Sequence, residues 1–259
     1  MTMLDIKPIK AFTDNYLWLF NQENATSAAI VDPGDAGPVL QYLEANKLQL
    51  EAILLTHHHP DHIGGVSDLL EQYDVPVYGP ESKAIPQVSH TLQEGDTLQV
   101  CGAPFRVLEI PGHTLDHIAY YAEAPSLGQA PVLFCGDTLF AGGCGRVFEG
   151  TMAMMYESLQ KLATLSPQTE VFCAHEYTMA NLAFAESVTP EDPLVQARIV
   201  REQSRRDQDI PTVPTTIAEE LQSNPFLRCE QKDFQAALHL QGKSPQEIFA
   251  HLRTGKDNF

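Results

Sequence analysis

"LLTHHHPDHIGG", residues 54–65, places four histidines and an aspartate within positions 57–62. The stretch leaves "EAILLT" (51–56), which has strand length and strand content. It runs into "GGVSDLLEQY" (64–73), whose apolar residues follow helical spacing. Along a chain leaving a strand, side chains alternate sides, so His57 and His59 point one way and His58 the other. Asp61 and His62 then reach a second point nearby. One ion needs only three or four such groups, so the pattern reads as two neighbouring metal sites with His58 as bystander. Imidazole and carboxylate donors suit Zn, Fe and Mn, whereas Ca or Mg would ask for more carboxylates.

A single loop cannot fill two ions, so further ligands are expected at other strand ends. "IPGHTLDH" (110–117) offers His113 after a strand and a Pro-Gly turn. "LFCGDTLF" (133–140) offers Asp137 at the close of an apolar run, and "VFCAHEYT" (171–178) offers His175 in the same setting. Each alone has an ordinary reading as a turn, cap or interface residue. Four such features at successive strand ends point jointly to a metal centre.

The chain has 259 residues, 43% of them hydrophobic, enough for a full core. No apolar run approaches the roughly 20 residues that span a bilayer, and "MTMLDIKPIK" lacks the parts of a signal peptide. The expectation is a cytoplasmic protein whose five scattered cysteines are free, mostly buried thiols. A net charge of −18 argues against nucleic acid and against an anionic membrane as partners.

Strands are expected at "YLWLF" (16–20), "SAAIVD" (27–32), "APFRVLEI" (103–110), "HIAYYA" (117–122) and "PVLFCGD" (131–137). Helices are expected at "PVLQYLEANK" (38–47) and "TMAMMYESLQKLATL" (151–165). After "EVFCAHE" (170–176) no convincing strand remains. Helical stretches follow, with capping-box starts at "TPED" (189–192) and "SPQE" (244–247). In the last helix Ile248, Phe249 and Leu252 share a face, and "RIVREQSRR" (198–206) reads as a solvated face. The outcome is an α+β chain: a mixed domain over 1–173, then a helical domain over 174–259.

"THHHPDH" matches the HxHxDH signature of the metallo-β-lactamase superfamily, and the later His, Asp and His fall in that superfamily's order. "FTDNYLWLF", "VDPGDAGPV", "GDTLFAGGCGRVFEGT", "HEYTMANLAFA", "PTVPTTIAEELQSNPFLR" and "KDNF" extend the match over residues 12–259. In these motifs the chain resembles the glyoxalase II (hydroxyacylglutathione hydrolase) family. The resemblance implies an αββα four-layer sandwich followed by a helical domain that helps bind glutathione thioesters. It implies that His57, His59 and His113 hold one ion, that Asp61, His62 and His175 hold a second, and that Asp137 bridges them. The cofactor would be two divalent ions per chain, zinc first, with iron or manganese as alternatives. For glutathione the resemblance points to Arg146, Phe148, Tyr177, Arg253 and Lys256. Arg146 stands where Lys is common, Phe148 where some members have Tyr, and Asp116 where Gly is usual.

The implied reaction is hydrolysis of S-D-lactoylglutathione to D-lactate and glutathione, the second step of methylglyoxal detoxification. Paired ions roughly 3.5–4 Å apart share a water, lower its pKa and polarise the carbonyl. Asp61 and Asp137 are the carboxylates of that machinery. A thiolate whose acid has a pKa of about 8.5 leaves without a proton donor. The ligand is anionic, and residues 176–259 hold 9 of the 16 Lys and Arg. The expected partner is a small-molecule glutathione thioester, acted on by a monomer. An iron persulfide dioxygenase is disfavoured by the "NPFLR" and "KDNF" tail. A flavodiiron oxidase would carry Glu at position 59, and a β-lactamase would carry an export signal. A non-catalytic zinc-binding protein would not need an open site with a bridging aspartate.

Overall fold

A computed structural model of the chain describes residues 3–123 and 129–259. They divide into two compact units: Met1–Glu109 with Asp116–Gly136, and Ile110–Leu115 with Asp137–Phe259.

The first unit begins with strand β1 (Leu4–Ala11), which returns through a tight turn as β2 (Asn15–Gln22). β3 (Ser27–Val31) pairs antiparallel to β2. Helix α1 (Ala36–Asn46) then crosses over to β4 (Gln49–Leu54), parallel to β3. β5 (Val77–Pro80) and β6 (His90–Leu92) continue the sheet in parallel. β1 lies outside the strands expected from sequence: its lysines and Pro8 hide the pattern, and Pro8 is tolerated because β1 is an edge strand. α1 starts at Asp35, whose carboxylate accepts from the Gly37 N–H, and ends at Lys47 with a left-handed φ of 54°. The helix expected over 64–73 forms only as the short α3 (Val66–Leu70), and a further short helix, α2 (Pro60–Ile63), precedes it and carries His62.

A second, antiparallel set of strands belongs to the same unit: β7 (Thr97–Val100), β8 (Ala103–Glu109), β9 (Ile118–Ala122) and β10 (Val132–Gly136). The two sheets meet at an aromatic cluster, with Phe20 of β2 5.4 Å from Phe105 of β8 and 5.3 Å from Phe134 of β10. On the opposite face of the first sheet, Leu17 and Leu19 pack with Val39 and Leu43 of α1 and Val66 and Leu69 of α3. β2 is thus buried on both sides, which explains why "YLWLF" shows no polar alternation.

In the second unit, β11 (Leu139–Phe140) and β12 (Gly143–Cys144) form a small ribbon. α4 (Met152–Ala163) is capped by Thr151, whose hydroxyl accepts from the Met154 N–H. β13 (Glu170–Cys173) pairs with β14 (Thr215–Thr216), a two-residue strand in the region where no strand is expected. Such a strand is too short to leave a periodic signal. The remaining helices are α5 (Thr178–Val188), α6 (Pro193–Arg206), α7 (Ile217–Ser223), α8 (Lys232–Ala237) and α9 (Pro245–Asp257).

Two local expectations are corrected. The "TPED" start is displaced: Asp192 caps α6, accepting from Leu194 and Val195 N–H with Pro193 in the first turn. Thr189 instead donates to the Ala185 carbonyl at the end of α5. The face "RIVREQSRR" is not wholly solvated, because Arg198 and Glu202 are each 2% exposed. Arg198 donates to Glu220 of α7 at 2.6 Å and to the Ser223 hydroxyl at 2.8 Å. One residue per turn of α6 faces inward, and a nine-residue charged run conceals that period. The "SPQE" expectation holds: Ser244 and Glu247 form a capping box, and Ile248, Phe249 and Leu252 are buried.

All five cysteines are free and buried. Burial pushes the thiols of Cys173 and Cys229 up to about 12 and raises those of Cys101 and Cys144. No helix among the described residues is long and apolar enough to cross a membrane. Since neutral thiols are unreactive, a thiol reagent at pH 8 should label less than one cysteine per native chain and all five in denaturant. Arg198→Ala leaves Glu220 charged and buried, so denaturant titration should find a loss of about 3–5 kcal/mol.

Candidate functional site

The first unit gathers its donors at the ends of β3 and β4. Asp32, just past β3, is 3% exposed and adopts φ 50°, a region that Asp tolerates better than most residues. Its carboxylate accepts from the Thr56 N–H and the Thr56 hydroxyl, both at 2.7 Å. It also meets His62 Nδ1 at 3.0 Å. A carboxylate only accepts, so His62 carries its proton on Nδ1 and presents Nε2 as a lone pair. The Thr56 hydroxyl donates its one O–H to Asp32, so its oxygen accepts from His57 Nδ1–H at 3.0 Å. The same tautomer follows for His57. Asp32, His57 and His62 are close enough to share an ion. The three hydrogen bonds that Asp32 already accepts make it the orienting partner of the two imidazoles instead of a ligand.

His57 and His59 lie with ring centroids 4.7 Å apart, and His57 and His62 4.1 Å apart. His117, 1% exposed, stacks against His57 at 4.5 Å. His58 meets Asp116 through its Nδ1 at 2.8 Å. Asp61, in the first turn of α2, accepts from Asn15 Nδ2 at 3.0 Å and lies 3.5 Å from His62 Nε2. Gly34 of "VDPG" permits this packing, since a Cβ there would stand 1.8 Å from the Asp61 carbonyl oxygen.

The second unit gathers His113, Asp137 and His175. The His113 Nδ1–H donates to the Arg146 carbonyl at 2.7 Å, so its Nε2 also faces outward as a lone pair. One oxygen of Asp137, Oδ2, lies 3.4 Å from His113 Nε2 and 3.3 Å from His175 Nε2. These separations exceed the 2.7–2.9 Å of a charge-assisted hydrogen bond. They match the roughly 3.4 Å edge of a tetrahedron of donors about 2.1 Å from a shared ion. The Asp61–His62 pair of the first unit has the same spacing. The donor chemistry and spacing in both units therefore fit a divalent transition metal.

Around the second group, Tyr177 stacks on His175 at 4.6 Å, and the Phe148 ring lies 5.3 Å from that of His113. Phe148 is 60% exposed. The Arg146 guanidinium lies over Phe148 and pairs with Asp257 at 3.1 Å. Arg253 is buried: it donates to the Cys144 carbonyl at 2.8 Å and to Asp257 at 3.1 Å, over the Phe226 ring. Lys256 donates to the Ala180 carbonyl at 2.8 Å, near the Phe184 and Phe259 rings. Burial and then the neighbouring Arg253 lower its ammonium pKa.

Several residues that build these groups escape sequence reasoning. Asn15 and Asp32 sit inside "TDNY" and "VDPG" without any metal-ligand spacing to mark them. Glu220, fully buried, accepts from the Gly142 N–H at 2.8 Å. Asn224 donates to the Gly143 carbonyl at 2.8 Å. Both hold the segment between Asp137 and Arg146 by backbone contacts that no motif displays.

Residues 15–175 match the metallo-beta-lactamase superfamily, and residues 176–259 match the hydroxyacylglutathione hydrolase C-terminus. A hydroxyacylglutathione hydrolase of Chromohalobacter salexigens is 48% identical over 99% of this chain and all of its own. Among solved structures, ETHE1 from Myxococcus xanthus superposes with a TM-score of 0.66 at 24% identity, covering 97% of this chain and 98% of its own. TTHA1623 in a di-iron-bound form gives 0.59 at 26% identity, covering 85% and 100%. The fold is that of the metallo-beta-lactamases, with a helical C-terminal part. With near-half identity sustained along the full length, the chain belongs to the hydroxyacylglutathione hydrolase family.

Proposed function

We propose that this chain hydrolyses S-2-hydroxyacylglutathione thioesters, S-D-lactoylglutathione foremost, to the hydroxy acid and glutathione, and so performs the second step of methylglyoxal detoxification. The observation that carries the reading is the spacing of Asp137 Oδ2 at 3.4 and 3.3 Å from the imidazoles of His113 and His175. It gains weight from the kinship with named hydroxyacylglutathione hydrolases. On the family pattern, His57, His59 and His113 would hold one ion, Asp61, His62 and His175 would hold the other, and Asp137 would serve both. Zinc suits this donor set best, and iron or manganese is also accommodated. When bound, such ions polarise the thioester carbonyl and acidify water.

The chain's own residues do the rest. Asp32, Thr56 and the Arg146 carbonyl fix three imidazole tautomers before any ion arrives. Asn15 holds Asp61 to one carboxylate orientation. The leaving thiolate needs no proton donor, since its acid has a pKa of about 8.5. Arg146 and Lys256 supply charge for the glutathione carboxylates, and Phe148 and Tyr177 supply exposed aromatic surface for its uncharged parts. Arg253 contributes from beneath, through the Cys144 carbonyl. Five buried thiols suit the reducing cytoplasm as its compartment.

Purified protein should release thiol from lactoylglutathione and bind close to two ions per chain; one iron with oxygen consumption would replace this reading by a dioxygenase. His59→Ala should abolish hydrolysis and lower metal content, whereas His58→Ala should retain substantial activity. Lys256→Ala should raise KM far more than it lowers kcat, because its contact lies remote from the reacting carbon.

A further inference from the structure

The turn between β1 and β2 carries an anomaly. Phe12 sits in the left-handed region, at φ 50°, where a bulky side chain meets steric resistance. Glycine or asparagine would hold the same turn at lower cost. A core aromatic can offset such strain by burial, yet Phe12 exposes 61% of its surface. Strain retained without a packing return points toward function.

Its surroundings suggest which function. A Cβ on Gly34 would stand 3.0 Å from Phe12 Cε2 and 1.8 Å from the backbone oxygen of Asp61, so ring and aspartate border the same small space. Three residues on, Asn15 reaches from the end of this turn to the Asp61 carboxylate at 3.0 Å. The turn that orients the Asp61 carboxylate therefore also holds the Phe12 ring close to the Asp61 backbone. A ring face offers nothing to the carboxylates of glutathione, but it matches the apolar substituent on an acyl carbon next to the reacting carbonyl.

We infer that Phe12 is a specificity-determining residue that packs against the acyl group of the thioester and favours 2-hydroxyacyl groups with an apolar substituent at C2. This rests on the hydrolase reading above. The glycine at 34 and the strained backbone at 12 serve one arrangement: the first makes room and the second aims the ring.

The test compares kcat/KM for mandeloylglutathione and lactoylglutathione in the parent protein and in Phe12→Asn, Phe12→Gly and Phe12→Trp. The Asn and Gly variants should lower the mandeloyl-to-lactoyl ratio about tenfold. They should keep the parent's metal content and melt at a higher temperature, because the strain is relieved. Phe12→Trp should keep the ratio. A ratio unmoved in all three variants, or one that merely tracks melting temperature, overturns the assignment while leaving the hydrolase reading intact. A parent protein inactive on both thioesters overturns both.

Discussion

A buried carboxylate that accepts three hydrogen bonds, that of Asp32, is the constraint on which the first group of donors depends. Removing a charge from water is costly unless donors replace the lost hydration. Thr56 supplies two of them and His62 the third. The exchange ties the end of β3 to the residue that precedes the histidine run. It decides where the protons of His57 and His62 reside, and hence which nitrogens face outward. Asp32 itself adopts a positive φ, and Gly34 follows without a side chain so that α2 can approach.

The second unit solves a parallel problem with other means. Asp137 and Arg146 bracket a segment with little regular structure of its own. It is held by Glu220 at Gly142, by Asn224 at Gly143 and by Arg253 at Cys144. Glu220 is in turn neutralised by Arg198, so a charge pair deep in the helices supports a backbone N–H near the donors. Such buried pairs add little net stability compared with apolar packing. Their consequence here is position: the Arg146 carbonyl accepts from His113, so a displaced segment would release that imidazole from its tautomer.

His57 and His62 in the first unit and His113 in the second are thus treated alike. In each, the Nδ1–H is spent on an oxygen of the protein before any ion arrives, a carboxylate-linked hydroxyl or carboxylate in one and a backbone carbonyl in the other. Preorganising neutral imidazole with Nε2 outward lowers the cost of gathering ligands around a cation. The aromatic residues near the donors, Tyr177 on His175 and His117 on His57, limit ring rotation by stacking.

Sequence alone determined what depends on residue type and local spacing. That includes the donors of "THHHPDH", the strands at "YLWLF", "SAAIVD", "EAILLT", "APFRVLEI", "HIAYYA" and "PVLFCGD", the capping box at Ser244, and the resemblance carried by motifs along the chain. Each is encoded within about a dozen neighbouring positions, where periodicity or donor chemistry is visible. Only the tertiary structure decided which side chains orient those donors, because the partners are joined by contacts between distant segments. Asp32 meets Thr56 and His62, Asn15 meets Asp61, and Glu220 meets Gly142, none at a spacing that marks function. The same reason explains the misread charged face of α6, where Arg198 turns inward to a carboxylate on another helix. It explains the missed β14 as well, since two residues become a strand only when β13 lies beside them. Local chemistry names the candidate donors; long-range hydrogen bonds aim them.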